Sequence, residues 1–351
     1  MTGHGAVLSR IVRVAVAGGL LAALAACSSG GGATLSPLSL QTATPEASCA
    51  CSTPIASVSA NDTINPPAPE PSGTVVAWGD DSQGQTKVPA GLAGVVAIAA
   101  GDEFSLALKS DGTVVGWGAN DAGQATPPAG LGGVVAISAG STHAIALKSD
   151  GTVVGWGNDN DGEATPPAGL ASVVAISAGG DHSLALKSDG TVVGWGTDFN
   201  GETDIPAGLH GVAGISAGND YSLAVLEGGT VVAWGDKFQT DTSISLVKVP
   251  SGLSGVTAAS AGYYHSLVLK SDGTVASWGE DADGAVTVPK GLSGVTAVVA
   301  GGDFSLALKS DGTVVGWGSN ATGSLTFPSA LKSAIAIDAG GAFGLALVRN
   351  P

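Results

Sequence analysis

The sequence predicts an all-β fold, a seven-bladed β-propeller closed by N- and C-terminal strands sharing one blade. Two observations carry that expectation. The first is a repeat: Gly-Thr-Val-Val or a close variant, followed one residue later by Trp-Gly, begins at Gly73, Gly112, Gly151, Gly190, Gly229, Gly273 and Gly312, every 39 residues apart from one interval of 44. A period of this length with a Trp in a strand-like run marks radial or linear repetition of one small sheet. The second is that each copy contains strand signals only.

Take residues 95–131. An apolar run (95–100, strand A) leads through a variable turn at 101–103 to a second run (104–108, strand B). Lys109-Ser110-Asp111-Gly112-Thr113 then precedes a third run, 114–117 (strand C). Asp-Gly between two apolar runs predicts a hairpin with a type I′ turn. A weaker fourth run, D, follows the polar loop at 120–123, and Pro127-Pro128-Ala129-Gly130-Leu131 confines it to an edge. Four short strands, apolar on both sides, make one blade packed between neighbours. The repeats begin at strand C and end after strand B, so residues 73–88 are expected to add outer strands to the inner strands of 334–348. That arrangement closes the ring and leaves no open edge. An open solenoid would need distinct capping repeats at its ends, and none is visible.

Two segments of other kinds precede the repeats (73–351). Residues 1–27 carry Arg10 and Arg13, an apolar run from Val14 to Ala26, and Leu24-Ala25-Ala26-Cys27. This pattern looks like a bacterial lipoprotein signal with its lipobox, which predicts lipidation of Cys27 and a protein anchored to, rather than spanning, a membrane on the extracytoplasmic face of the cell envelope. Residues 28–72, rich in Ser, Thr, Ala, Pro and Gly, are expected to be a disordered tether. Cys49 and Cys51 lie in it and offer an interchain disulfide, a strained small loop or no essential role.

The chain has 13 basic and 29 acidic residues, a net charge of −16. Such a surface is a poor partner for nucleic acid. The placement of the acids is more informative. In an antiparallel blade the A-to-B and C-to-D turns emerge on one face, the B-to-C and D-to-A turns on the other. The second face is monotonous, repeating Lys109 with Asp111, Lys148 with Asp150, and so on. The first varies, and its inner turns hold Asp102, Glu103, Asp181, Asp220 and Asp303. The five extra residues of the long interval fall there too, within 236–246, and insertions confined to one face mark a binding face. Phe199, Phe238, Tyr263 and Tyr264 lie on the same face and are candidate anchors for a protein or cell-envelope ligand of basic character. The alternative for Phe199 and Phe238 is that they fold back onto their own blades.

The seven Trp occupy one strand C position and are expected to be structural. His143, His182 and His265 share a slot with Phe104, Tyr221, Phe304 and Phe343, and a slot that accepts Phe is not a required metal or catalytic site. No nucleophile motif, phosphate loop or metal-spaced cluster is found, so no catalytic residue, metal or cofactor is assigned. Asn158-Asp159-Asn160-Asp161-Gly162 and Glu280-Asp281-Ala282-Asp283-Gly284 look like calcium loops but lack the twelfth-position acid.

Trp117-Gly118-Ala119-Asn120-Asp121-Ala122-Gly123, together with the Ala-Gly-x-x-His-Ser-Leu-Ala-Leu pattern of 178–186, resembles repeats of the regulator of chromosome condensation family. The resemblance covers essentially all of 73–350 and implies a seven-bladed propeller. Within the family, residues 75–90 and the short period look most like secreted β-lactamase inhibitory propellers. In those, aromatics bind class A enzymes from turn positions that match Glu103, Thr142, Asp181, Asp220, Tyr264, Asp303 and Ala342. Only Tyr264 is aromatic here, so the resemblance implies a different partner; inhibition of a secreted enzyme is the alternative function, and a polysaccharide-binding or polysaccharide-acting envelope protein the second.

Overall fold

Alternating small and β-branched residues with a Gly-rich turn every few positions leave each repeat no choice but short antiparallel strands. The computed structural model describes residues 72–236, 245–281 and 283–349. Within them β1 (Gly73–Gly79), β2 (Val95–Ala100), β3 (Phe104–Lys109) and β4 (Val114–Gly118) are followed by five further A-B-C triplets and end in β20 (Ala334–Ala339) and β21 (Phe343–Arg349). No helix occurs among the described residues. The signal segment, the lipidation residue Cys27, the tether up to residue 71 and Phe238 lie outside them.

Each repeat forms a three-stranded antiparallel sheet. The expected fourth strand is absent, and the reason is local. Around Gln85 to Val88 the backbone turns on itself, with Lys87 N donating to Gly84 O and Val88 N to Thr86 O. The Gln85 carbonyl is taken by side chains of the next repeat, Trp117 Nε1 at 2.8 Å and Ser105 Oγ at 2.9 Å. Pro89 then supplies no N–H for a ladder. The B-to-C turn also differs from the expectation. Lys109 N donates to Thr113 O and Gly112 N to Lys109 O, so three residues fill the loop and only Gly112 takes positive φ (79°). Such a loop needs one left-handed residue where a type I′ turn needs two.

Every A strand carries a β-bulge against its B strand, as between Val95 and Ala97. Bulges sharpen the twist a blade needs. The two ends of the described chain meet: β1 pairs with β21 over its full length, from Gly73 opposite Arg349 to Gly79 opposite Phe343. One bridge, Gly73 with Val95, joins this unit to β2, giving a sheet ordered β20-β21-β1-β2-β3-β4 beside separate three-stranded sheets, none closed on itself.

The core lies between sheets, not within one. Leu184 and Leu186 pack with Ile215, Val212 and Trp234 of the following repeat, and Val75 and Leu345 pack with Ile98 and Trp117. Polar links repeat at the same junctions. Trp156 Nε1 donates to Gln124 O, Trp195 to Glu163 O, Trp234 to Glu202 O, Trp278 to Leu246 O and Trp317 to Ala285 O, at 2.7–2.9 Å. Trp78 does the same at 2.7 Å to Ser324 O, at a separation of 246 residues. The Trp side chains are therefore structural, as their shared position indicates.

The slot at the start of most B strands is matched to its neighbour, Phe343 beside the sheet of Ser105 being the exception. His143, His182 and His265 Nε2 lie 2.9, 2.9 and 2.8 Å from Ser183, Ser222 and Ser305 Oγ of the next repeat. Tyr221 OH donates to His265 O at 2.7 Å and lies 2.9 Å from Ser266 Oγ. Where Phe104 and Phe304 fill the slot, the next sheet presents Ala144 and Gly344 instead. Each of the three Ser hydroxyls already donates to a carbonyl, of Glu163, Glu202 or Ala285, so the imidazole Nε2 carries the proton. The three Nδ1 atoms are buried without a partner, and burial lowers the His pKa values from 6.5 to about 4, 3 and 4.

A folded-state pKa below the unfolded one means that the unfolded chain gains protons first on acidification. Stability should be insensitive to these groups above pH 6.5 and fall between pH 6.5 and about 4, by on the order of 1–3 kcal/mol for each His. Chemical denaturation across this range should show that fall, and replacing His265 by Phe with Ser305 by Ala, as the pair Phe104 and Ala144 is built, should flatten it. An unchanged pH profile in that double variant would mean that His265 is not held neutral.

Candidate functional site: the face of the A-to-B turns

Two backbone bonds place every candidate residue. The first residue after each Trp-Gly donates its N–H to the last carbonyl of the A-to-B turn in the same sheet: Ala119 to Glu103, Asn158 to Thr142, Thr197 to Asp181, Asp236 to Asp220, Glu280 to Tyr264, Ser319 to Asp303 and Asp80 to Ala342. A-to-B and C-to-D turns therefore share one face. Gly118, at φ 100°, makes this possible, because a Cβ there would lie 2.7 Å from Glu103 O.

The second bond links neighbouring turns. Asp102 N donates to Gly140 O, Ser141 N to Gly179 O, Gly180 N to Gly218 O, Asn219 N to Gly262 O, Tyr263 N to Gly301 O, Gly302 N to Gly341 O, and Gly341 N to Asp102 O. Gly140 permits the approach, since a Cβ on it would sit 2.4 Å from Gly179 O. The turns surround one narrow opening, walled mainly by Ala and Gly backbone, to which Asp102, Ser141, Asn219 and Tyr263 add side chains.

Glu103, Asp181, Asp220, Tyr264 and Asp303 thus occupy equivalent positions around this opening, as the repeat alignment implies. Phe199 is 74% exposed and Tyr264 45% exposed. Phe199 does not fold into its own blade. Tyr263 departs from the expectation of a surface anchor: it is half-buried, lines the opening and meets Tyr264 edge to face at 6.2 Å. Asp102 is one of the inner-turn acids expected on this face, whereas Ser141 and Asn219 were not singled out from the sequence. The usable signal was that they share Tyr263's place in the turn, one residue before the exposed position.

Acids on the two faces respond to opposite environments. On the hairpin face, Asp111, Asp150, Asp189 and Asp311 are held at a pKa of about 2, chiefly by hydrogen bonds from Thr113, Thr152, Thr191 and Thr313, with Lys109, Lys148, Lys187 and Lys309 at 3.0–3.3 Å. On the turn face, Glu103, Asp181 and Asp303 are pushed up, first by partial desolvation and then by other carboxylates: Asp102, Asp80 and Asp121 for Glu103, Asp161 and Asp220 for Asp181, and Asp283 for Asp303. No ion pair to a basic residue is formed by these three among the described residues.

The outer-loop acids have internal work instead. Asp159 Oδ1 accepts from Ala164 N, Asp281 Oδ1 from Val286 N and Asp198 Oδ1 from Thr203 N. Asp236 Oδ2 accepts from Leu246 N, spanning the inserted segment. The runs that look like calcium loops are therefore self-bonded turns, and among the described residues no group of three or more His, Cys, Asp or Glu is arranged to hold a metal ion.

Residues 95–124, 134–163, 173–202, 256–285 and 295–323 match the model of the Regulator of chromosome condensation (RCC1) repeat. The chain carries RCC1 repeats in five places. Among solved structures, Prp20p from Saccharomyces cerevisiae is similar at 20% identity with a TM-score of 0.69, over 81% of this chain and 93% of that one. Human WBSCR16 gives 20% and 0.64 over 79% and 100%, and the CRINKLY WD40 ectodomain of the Arabidopsis thaliana receptor kinase ACR4 gives 24% and 0.58 over 73% and 92%. At these identities the likeness establishes the propeller-type fold. No curated protein matches the sequence.

Among the described residues, Glu202 is the one buried acid with an unmet side-chain atom. Its Oε2 accepts from Asn200 N at 2.7 Å while Oε1, fully buried, has no partner, and burial raises its pKa. Equivalent positions in two other repeats carry Gln85 and Gln124, each accepting the same kind of backbone bond. Glu202→Gln should therefore stabilise the fold by about 1 kcal/mol at neutral pH, with the gain shrinking as pH falls and Glu202 protonates. Melting curves at pH 7 and pH 4 test this, and a destabilised variant at pH 7 would contradict it.

Proposed function

We propose that this chain is a lipid-anchored, extracytoplasmic, non-catalytic propeller of seven blades in one closed ring, which binds a protein or cell-envelope ligand of basic character on the face of its A-to-B turns. Closure is supported by the pairing of β1 with β21, the bond from Trp78 to Ser324 and the return of the turn bonds from Gly341 to Asp102. The anchor is supported by Leu24-Ala25-Ala26-Cys27 after an apolar run.

The observation that carries the binding reading is the contrast between faces. Glu103, Asp181 and Asp303 stand among like charges, whereas each hairpin-face Asp named above is already satisfied by Thr and Lys. A basic ligand relieves the first arrangement and gains little from the second. Phe199 and Tyr264 rise from the same face as exposed aromatics, the type that anchors interfaces. Prp20p is described by its binding to Gsp1p and histones, and histones are basic proteins. Exposed Tyr264 alone favours the second reading, inhibition of a class A β-lactamase.

The test uses the soluble form from Ser28 and a basic envelope protein that it retains. Tyr264→Ala should cost about 1–3 kcal/mol of affinity, mainly through faster dissociation. Asn at 181, 220 and 303 together should slow association and flatten its salt dependence. Lys187→Ala should change neither rate. Weakening by Lys187→Ala with normal binding by the other two would place the partner on the hairpin face, and nanomolar inhibition of class A β-lactamases would promote the second reading.

A further inference from the structure

The opening at the centre of the turns is walled mainly by backbone, and the few side chains that reach it are not a random set. Tyr263 enters from one repeat with its hydroxyl buried and without a hydrogen bond, facing Asp102 and Ser141 from two others. The acid and the phenol converge: a Cβ built on Gly341 would lie 2.1 Å from Asp102 Oδ1 and 3.3 Å from Tyr263 Oη. Only glycine at 341 lets the Asp102 carboxylate sit this close to the backbone, with the Tyr263 hydroxyl beside it. No basic residue forms an ion pair with Asp102 among the described residues.

Resting on the reading of this face as a receptor for a basic protein, we propose that the axial opening takes the ammonium group of a lysine side chain inserted by the partner, with Asp102, the Tyr263 hydroxyl and Ser141 as its acceptors. An ammonium has three donors and no acceptor. A carboxylate, a phenolic oxygen and a hydroxyl are carried by three residues that line the opening, and a buried phenol without a partner is a cost that the bound cation removes. Desolvation, and then the Asp102 charge, push the Tyr263 pKa up, so the phenol stays neutral and keeps its oxygen lone pairs available. A guanidinium is a wide planar fork suited to bidentate pairing on an open surface. The compact ammonium on its unbranched stem fits a narrow axial hole better. The exposed carboxylates at 103, 181 and 303 attract any cation, and the axial site adds discrimination among them.

Tetralysine, tetra-arginine and Nε-acetylated tetralysine, each fluorescently labelled, serve as probes in anisotropy titrations with the soluble form from Ser28. Tetralysine should bind at least tenfold tighter than tetra-arginine, and the acetylated peptide should not bind. Asp102→Asn should remove the lysine preference and Tyr263→Phe should reduce it several-fold, both isosteric changes. The combined Asn variant at 181, 220 and 303 should weaken both cationic peptides by the same factor and leave their ratio unchanged. Equal affinity of the wild type for the lysine and arginine peptides, or a preference that survives Asp102→Asn, overturns the axial site while leaving the acidic-face reading standing. No loss in the combined Asn variant overturns the acidic-face reading as well.

Discussion

The bond from each Trp Nε1 to a carbonyl of the preceding repeat is the interaction on which the rest of the structure depends. A three-stranded sheet of five- and six-residue strands has two apolar faces and cannot bury either alone. The Trp ring covers one face of its neighbour's sheet while its N–H satisfies a carbonyl that the turning D segment has left without a ladder partner. Removing the ring would open the inter-sheet core, and removing only the N–H would orphan the carbonyl, so the position tolerates little else. Since the same bond recurs in seven places, Trp78 included, it sets the spacing between sheets all the way along the array.

That fixed spacing separates stability from recognition. The buried B strands, the bulged A strands and the bonds between turns are nearly the same in every repeat, and five repeats carry the same Lys and Asp pair on the hairpin face. Variation is left to two positions per turn and to the C-to-D loops. One turn position points at the axis and holds Asp102, Ser141, Asn219 or Tyr263; the next points outward and holds Glu103, Asp181, Asp220, Tyr264 or Asp303. A rigid frame that carries charges it does not neutralise is suited to binding by complementarity rather than by adaptation.

Most of the frame is legible in the sequence because the repeat gives seven copies of each position. A slot that accepts His, Tyr and Phe announces packing, and the structure adds the matched Ser or small residue across the junction. The strand limits follow from the apolar runs. What was not legible depends on contacts between repeats. The D run looks strand-like on composition, yet the next repeat's Trp and Ser claim the Gln85 carbonyl. Asp111-Gly112 suggests a two-residue turn, but the bond from Lys109 to Thr113 sets a three-residue loop. Tyr263 and Tyr264 are adjacent and chemically identical, so only knowledge of where the axis lies tells the inward ring from the outward one.

The central claim is that the first and last described repeats are neighbours held as firmly as any consecutive pair. Native-state amide hydrogen exchange reads this directly. The Gly341 amide, which donates to Asp102 O, and the β1 amides paired with β21 should exchange as slowly as the junction amides of Ser141, Gly180 and Asn219. Fast exchange at Gly341 and along β1, with the other junctions protected, would show a frayed seam and contradict the proposed closure of the ring.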